Sequence, residues 1–502
     1  MDVDWCFEKV VMTKGLMWLG KGDHQAHRIP DWATKHHPEQ LPCRLEKERP
    51  HGSFNLCRVV VFDNGEKWII RFPLVGRTSQ AHCDEKVAGE LAVLELLRER
   101  TTIPVPEVKV WGLADEDPLG LGPFMMQTFI EGDNLGKVID DKDEGQKDYD
   151  DNVMEKIYRQ TARFMIQMFK LDFDEIGTLP VDASQPPPPD RRRPLTLPAH
   201  EIIRLGGVNV FDDGSRSQQL ETTKDFFDFV VHQQWRQLHE QLNSVYDEKD
   251  AREKYIFTRV LKESDLTSRH VWPEYDRGPF KLICDDFGPN NMLVNKDWDV
   301  TGVLDFEFSY AGPTQFFATA PWWLLFNRPH MWDFDEEFGI RFMRYLDMFQ
   351  RVLEEEEKKE EEEEEEKGKV AITPDDNNHG RSEHGGGSSK DSLSNLIRRS
   401  RENGTMWFII VLQGWFQSPD NYPCAELIRH TPDWDELVKK IPEEDIQAFV
   451  TKKMRHLKLY DQRKKETENA YDNELLKFLI TVETFYRRVE GPYDRGDVGP
   501  NV

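Results

Sequence analysis

Leu282-Ile-Cys-Asp-Asp-Phe-Gly-Pro-Asn-Asn-Met-Leu-Val294, followed by Val303-Leu-Asp-Phe-Glu-Phe308, is the stretch on which the fold turns. Asp286 stands five residues before Asn291, and Asp305 fourteen residues after it. Short apolar runs flank both acidic segments, the pattern of a buried strand, a polar loop, a second strand and a second acidic loop. Oxygen-bearing side chains at the ends of adjacent strands can hold a divalent cation and orient a hydroxyl, which is what phosphoryl transfer needs. Asp286 can orient an acceptor hydroxyl and take its proton. Asn291 and Asp305 offer one neutral and one charged oxygen ligand, which suits Mg²⁺ with water and phosphate oxygens completing its shell. Taken alone, a loop Asp such as Asp286 is more often an Asx-turn residue. The three together shift the balance toward chemistry.

Upstream, Leu56-Cys-Arg-Val-Val-Val-Phe62 and Lys67-Trp-Ile-Ile-Arg-Phe72 flank Asn64-Gly65. This predicts a β-hairpin with a two-residue turn whose residues both take positive φ. On the second strand Trp68, Ile70 and Phe72 share one face, and Ile69 and Arg71 the other. Val87, Leu91, Leu94 and Leu97 lie on one face of a predicted helix over 85–100, ended by Ile103-Pro-Val-Pro106. Val108–Gly112 and Phe124–Ile130 read as further strands. The first ~130 residues are thus strands with one helix, and the chain then turns mostly helical, with helices predicted over 153–170 and 225–245. The expected fold class is α+β, with an N-terminal lobe over 1–130 and a helical C-terminal lobe over 131–502 carrying the catalytic stretch 282–310.

At 502 residues the chain exceeds one compact core, which agrees with two lobes. The formal charge of -27 argues against nucleic acid or an anionic membrane surface as partner. It is compatible with a cationic small-molecule acceptor. Six cysteines are scattered without paired spacing, and the N-terminus lacks a basic and apolar leader pattern, so a reduced, cytoplasmic protein is expected. Met406–Leu412 is far short of the ~20 apolar residues of a membrane span. His24, His27, His36 and His37 fit no zinc spacing. Gln185–Pro194 reads as a polyproline-like loop. Residues 354–390, which open with eleven Glu and four Lys by position 369, read as a disordered acidic insertion, although Glu and Lys also favour continuing the preceding helix.

Cys284-Asp-Asp286-Phe-Gly-Pro-Asn-Asn291 resembles the catalytic loop HGDxxxxN of the aminoglycoside phosphotransferase family, and Asp305-Phe-Glu307 its metal-binding loop. The order of features is also similar to that of its choline-kinase relatives, and Phe308–Pro313 with Ala320–Leu324 resembles fungal members. The likeness spans about residues 45–350 and resumes around 391–430. It implies a protein-kinase-like two-lobed fold, ATP and Mg²⁺ as cofactors, and a hydroxyl of a small molecule as acceptor. It also implies Asp286 as catalytic base, Asn291 and Asp305 as metal ligands, and Glu307 as a further candidate ligand. Gly52 and Ser53 stand where the phosphate-covering loop would be. Arg71 takes the place of the phosphate-gripping Lys, Glu90 is its expected partner ahead of Glu85 and Glu95, and Thr128 and Ile130 sit at the adenine hinge. Two departures are plain: Cys284 replaces the family's His and Arg71 its Lys. Together with the lone Gly52, they are what favours the competing expectation, a kinase-like pseudoenzyme that binds nucleotide or a partner. The protein-kinase motifs HRD and APE are absent from the sequence, and its Asp-Phe-Gly, Asp286–Gly288, falls inside the catalytic-loop stretch rather than after it. Trp322 and Trp323 read as anchors beneath the catalytic loop.

Overall fold

A computed structural model describes residues 3–47, 54–142, 149–181, 193–211, 218–326, 328, 336–370, 392–414 and 419–489. Gly52 and Ser53, most of 185–194 and all of 371–390 lie outside them. Strands β1 (Cys43–Leu45), β2 (Asn55–Phe62), β3 (Lys67–Pro73), β4 (Val108–Gly112) and β5 (Phe124–Thr128) form one antiparallel sheet in the order β1-β2-β3-β5-β4. Helices α1 (Trp5–Gln25) and α2 (Ile29–His36) precede it, and α3 (Cys83–Arg100) is inserted between β3 and β4. The helical part follows with α4 (Leu135–Lys142), α5 (Asp151–Phe169), α6 (Leu197–Gly206), α7 (Thr223–Glu240), α8 (Glu248–Glu263), α9 (Leu266–Arg269) and α10 (Thr314–Phe317). It ends with α11 (Glu336–Val370), α12 (Leu393–Glu402), α13 (Thr405–Gln413), α14 (Tyr422–Arg429), α15 (Trp434–Lys439) and α16 (Glu443–Val489). Within it, β6 (Asp133–Asn134), β9 (Met292–Val294) and β10 (Val300–Val303) make one small sheet. A second is made of β7 (Asp172–Phe173), β8 (Phe280–Cys284) and β11 (Ser309–Gly312). This is the α+β arrangement expected, a β-rich part followed by a mostly helical one.

The two faces of β3 are separated as the alternation requires. Trp68, Ile70 and Phe72 join Ile29, Trp32 and Ala33 of α2 in one core. On the other face Arg71 meets α3, whose Val87, Leu91, Leu94 and Leu97 are buried in the main core that runs on through the helical part. The hairpin itself corrects an expectation. The Gly65 N–H donates to Phe62 O and the Phe62 N–H to Glu66 O, so the loop holds three residues, Asp63-Asn64-Gly65. Gly65 alone there has positive φ (87°). The Asn64 side chain accepts from the Glu66 N–H at 2.9 Å, which stabilises a type I turn closed by a left-handed glycine in place of a two-residue turn.

The first helices were not evident from the sequence. In α1 the buried residues are Cys6, Gly15 and Gly22, so no apolar stripe marks its contact face. A Cβ on Gly15 would lie 2.5 Å from the Val75 carbonyl oxygen, so the helix meets backbone directly. The acidic run is also corrected. Helix α11 continues to Val370, so residues 354–370 are helical. Glu355 and Glu356 are tied to Arg159 of α5 at 2.7 and 2.6 Å, and Glu360 and Glu364 to Lys170, just past the end of α5, at 2.9 and 2.8 Å. Ion pairs across two helices replace the apolar stripe whose lack suggested disorder. Helix α13 is buried along Thr405–Leu412, which accounts for its all-apolar sequence. Among the described residues no helix is long and apolar enough to cross a membrane.

Candidate active site

Strand β8 pairs with β11 so that Cys284 faces Ser309, and both acidic loops emerge at that end. The first loop is held by short backbone bonds, Phe287 N–H to Cys284 O (3.2 Å) and Asn291 N–H to Gly288 O (3.0 Å). Gly288 allows it to lie on Trp323, because a Cβ there would come within 3.2 Å of that side chain. Trp323 is buried and packs edge-on against Phe287, so it is an anchor under the loop. The second loop follows β10, and its Leu304 N–H donates to Asn291 O at 2.8 Å, which lays the two loops side by side. Asp305 itself has φ of +59°. That left-handed conformation is costly for a non-glycine residue and is held by the surrounding bonds.

Asp286 is half-buried. The Asn291 amide donates to its backbone carbonyl at 2.9 Å. The Arg328 guanidinium is ion-paired with its carboxylate and lies 4.4 Å from the centroid of the Trp322 ring. Burial pushes the Asp286 carboxyl up to about 6, against the pull of Arg328. Cys284, where the motif has His, donates to the Asp305 backbone carbonyl at 3.9 Å, and burial pushes its thiol up to about 12, so it stays neutral. The neighbouring Asp285 supplies firmer anchorage. Its carboxylate accepts from the Tyr310 hydroxyl and from the Leu197 N–H at the start of α6, each at 2.9 Å. Burial pushes Asp285 up to about 6 in spite of both bonds.

Arg71 joins three elements. Its guanidinium donates to Glu90 of α3 at 2.6 Å, pairs with Asp305 and lies 3.6 Å from Glu307. Glu85, the rival on α3, is not the partner: it lies 3.6 Å from His82. Glu95 carries no ion pair to Arg71 in this arrangement. Burial pushes the Glu90 and Asp305 carboxyls up while Arg71 opposes it. Burial alone would also raise Glu307, but Lys86 and Arg71 hold it below its ordinary value. Lys86, one turn before Glu90, approaches Glu307 Oε2 at 2.5 Å, and the Asn55 amide donates to the same oxygen at 3.1 Å.

At the hinge, the Thr128 N–H donates to Glu107 O and its hydroxyl accepts from the Glu107 N–H, both at 2.9 Å. The Thr128 N–H is therefore committed within the sheet. Ile130 lies over Gly302 of β10, where a Cβ would sit 2.9 Å from its Cγ2. Among the described residues no three His, Cys, Asp or Glu side chains gather as a metal cluster. Asn291 and Asp305 are the oxygen-bearing side chains there that could hold a divalent cation whose remaining shell is water and phosphate. Sequence reasoning passed over Asp285, Lys86, Asn55 and Arg328. Lys86 carried one usable signal, its spacing of four from Glu90 on a helix whose other face is apolar. Arg328 carried none, because nothing periodic links it to Asp286, 42 residues earlier.

Residues 49–342 match the profile described as "Phosphotransferase enzyme family" (APH). No curated protein sequence matches significantly. Among solved structures, Macrolide 2'-phosphotransferase type I is 12% identical over 65% of this chain and 82% of that one, with a TM-score of 0.35. Plasmodium vivax ethanolamine kinase is 10% identical over 83% and 82%, TM-score 0.37. Amicoumacin kinase hAmiN, in complex with AMP-PNP, Ca²⁺ and Ami, is 12% identical over 82% and 96%, TM-score 0.31. At this distance none of them decides the acceptor.

Proposed function

The chain belongs to the phosphotransferase enzyme family, and from that premise we propose that it transfers the γ-phosphate of ATP to a hydroxyl of a small molecule. The observation that carries this is the juxtaposition of the Asp286 and Asp305 loops, with the Arg71 guanidinium bridging Glu90 and Asp305.

Asp286 orients the acceptor hydroxyl and accepts its proton as the oxygen–phosphorus bond forms. The bond from the γ-phosphorus to the bridging oxygen breaks, and its electron pair leaves with ADP. A carboxyl lifted to about 6 is still mostly ionised at neutral pH, close to the best value for a base working there. Asn291 and Asp305 would hold a magnesium ion, which supplies charge neutralisation for the phosphates. Arg71, fixed by Glu90, presents a rigid cationic fork toward them. Arg328 flanks the place where the acceptor meets Asp286, so an entering hydroxyl has to share that carboxylate with a guanidinium. The intact set Asp286, Asn291 and Asp305 favours this reading over a pseudoenzyme.

The test is ADP release with Mg²⁺ and ATP across cationic, neutral and anionic hydroxyl acceptors, beside Asp286→Asn. Acceptor-dependent release lost in the variant is expected. A wild type that neither binds nor turns over nucleotide sinks the proposal.

A further inference from the structure

Lys86 is a buried lysine that the catalytic motif does not account for. It leaves the same side of α3 as Glu90, one turn earlier. Its side chain is 1% exposed, and that of its partner Glu307 3%. Its ammonium lies 5.7 Å from the ring centroids of both Phe54 and Phe308, so the pair is walled by aromatic rings. Oε2 of Glu307 meets the Lys86 ammonium, the Asn55 amide and, at 3.6 Å, the Arg71 guanidinium. Those donors come from α3, β2 and β3. Asp305, two residues earlier, has a 36% exposed side chain and faces Arg71. The two acids of one short loop are thus turned to different tasks. One is partly open to solvent and the other is held inside the junction between the sheet, α3 and the loop.

We propose that Glu307 is a positioning residue rather than a metal ligand. With Lys86 it forms a pin that fixes the Asp305 loop against α3 and so sets where Arg71 and Asp305 meet. This deepens the phosphotransferase reading and rests on it for the catalytic measurements, but not for the stability measurement. A desolvated ion pair is costly to break from either side, whereas losing both charges together is far better tolerated.

The experiment uses the full chain with Lys86→Met, Glu307→Gln and the double variant. In thermal unfolding each single variant is expected to lower Tm by about 3–5 °C, and the double by clearly less than the two losses combined. Additive losses overturn the pin. The second measurement follows the ATP-induced Tm shift as Mg²⁺ is titrated. Glu307→Gln is expected to leave the Mg²⁺ midpoint within about twofold of wild type, while Asp305→Asn moves it by about tenfold or more. An equal displacement in Glu307→Gln overturns the positioning role. In turnover, Glu307→Gln lowers kcat by about tenfold with the KM for ATP nearly unchanged. If Lys86→Met does not fold, the isosteric Glu307→Gln carries the test through its Mg²⁺ midpoint. A wild type without any Mg²⁺-dependent ATP shift defeats the phosphotransferase reading, and the Tm comparison then decides the pin by itself.

Discussion

Two assemblies of opposite charges lie in this molecule, and they are built on different terms. Around Arg71 the charges are nearly all inside: the side chains of Arg71, Glu90, Lys86 and Glu307 are each at most 8% exposed. Along α5 and α11 they are mostly outside. Arg163, Lys170 and Arg351 are about half exposed, and only Glu356, at 3%, is enclosed. The first group gains strong mutual attraction because water is excluded, and for the same reason loss of one member leaves an uncompensated buried charge. The second gains little per pair but keeps α11 in register on α5 where no apolar stripe is available. Charge fixes geometry at the site and merely selects a helix partner on the surface.

The largest effect should come from the base. Asp286→Asn is expected to lower kcat by about 10²–10⁴-fold with folding intact, measured as ADP release beside a melting curve. Glu90→Gln comes next. It leaves the buried guanidinium short of a carboxylate and should cost about 3–5 kcal/mol by denaturant unfolding, together with most of the activity. A loss no larger than that of a surface pair would erase the distinction between the assemblies.

Acidity acts on the catalytic base and on the surface ladder in opposite senses. Asp286 has a folded value near 6, above its ordinary 3.8, so it favours the folded state below 3.8 and loses that contribution as pH rises through 6. Glu356 is the reverse. Burial alone would raise it, but Lys359, Arg163 and Arg159 hold it at about 2. Its contribution is present above its ordinary 4.5 and fades as pH falls toward 2. Activity should drop as pH falls through about 6, because Asp286 must be ionised to accept a proton. Arg328→Ala removes the opposing cation and should move that acid limb to higher pH, read from a kcat/KM profile. At the small end, Glu356→Gln should cost on the order of 2 kcal/mol, and Lys170→Ala less than about 0.5 kcal/mol.

What could be read beforehand follows the same division. Strand alternation placed Arg71 on the face away from Trp68, because that periodicity is local and burial enforces it, whereas Glu90 was preferred to Glu85 and Glu95 through the family resemblance. The partners supplied from a distance were not legible. Arg328 lies 42 residues from Asp286, and Asn55 252 residues from Glu307. Helix α1 was hidden because glycine, which carries no hydrophobic signal, makes its contacts. Past residue 354 the sequence left disorder and helix continuation both open, because no apolar face could be buried there; a ladder of charges to α5 supplies the contacts that make it helix to Val370.

Helix α1 has a mechanical consequence. Near its start the Asp4 N–H donates to Leu205 O of α6 and the Trp5 N–H to the Tyr460 hydroxyl of α16. Toward its other end the Trp18 indole donates to Leu121 O just before β5. A stiff rod is therefore fastened to both halves of the protein, in parallel with the covalent link that runs from β5 through Ile130 to β6. A body joined to another at two separate points keeps a single easy degree of freedom, rotation about the line through them. Any movement of the two halves should thus resemble a door on two hinges, a swing about one axis, with twisting and sliding suppressed.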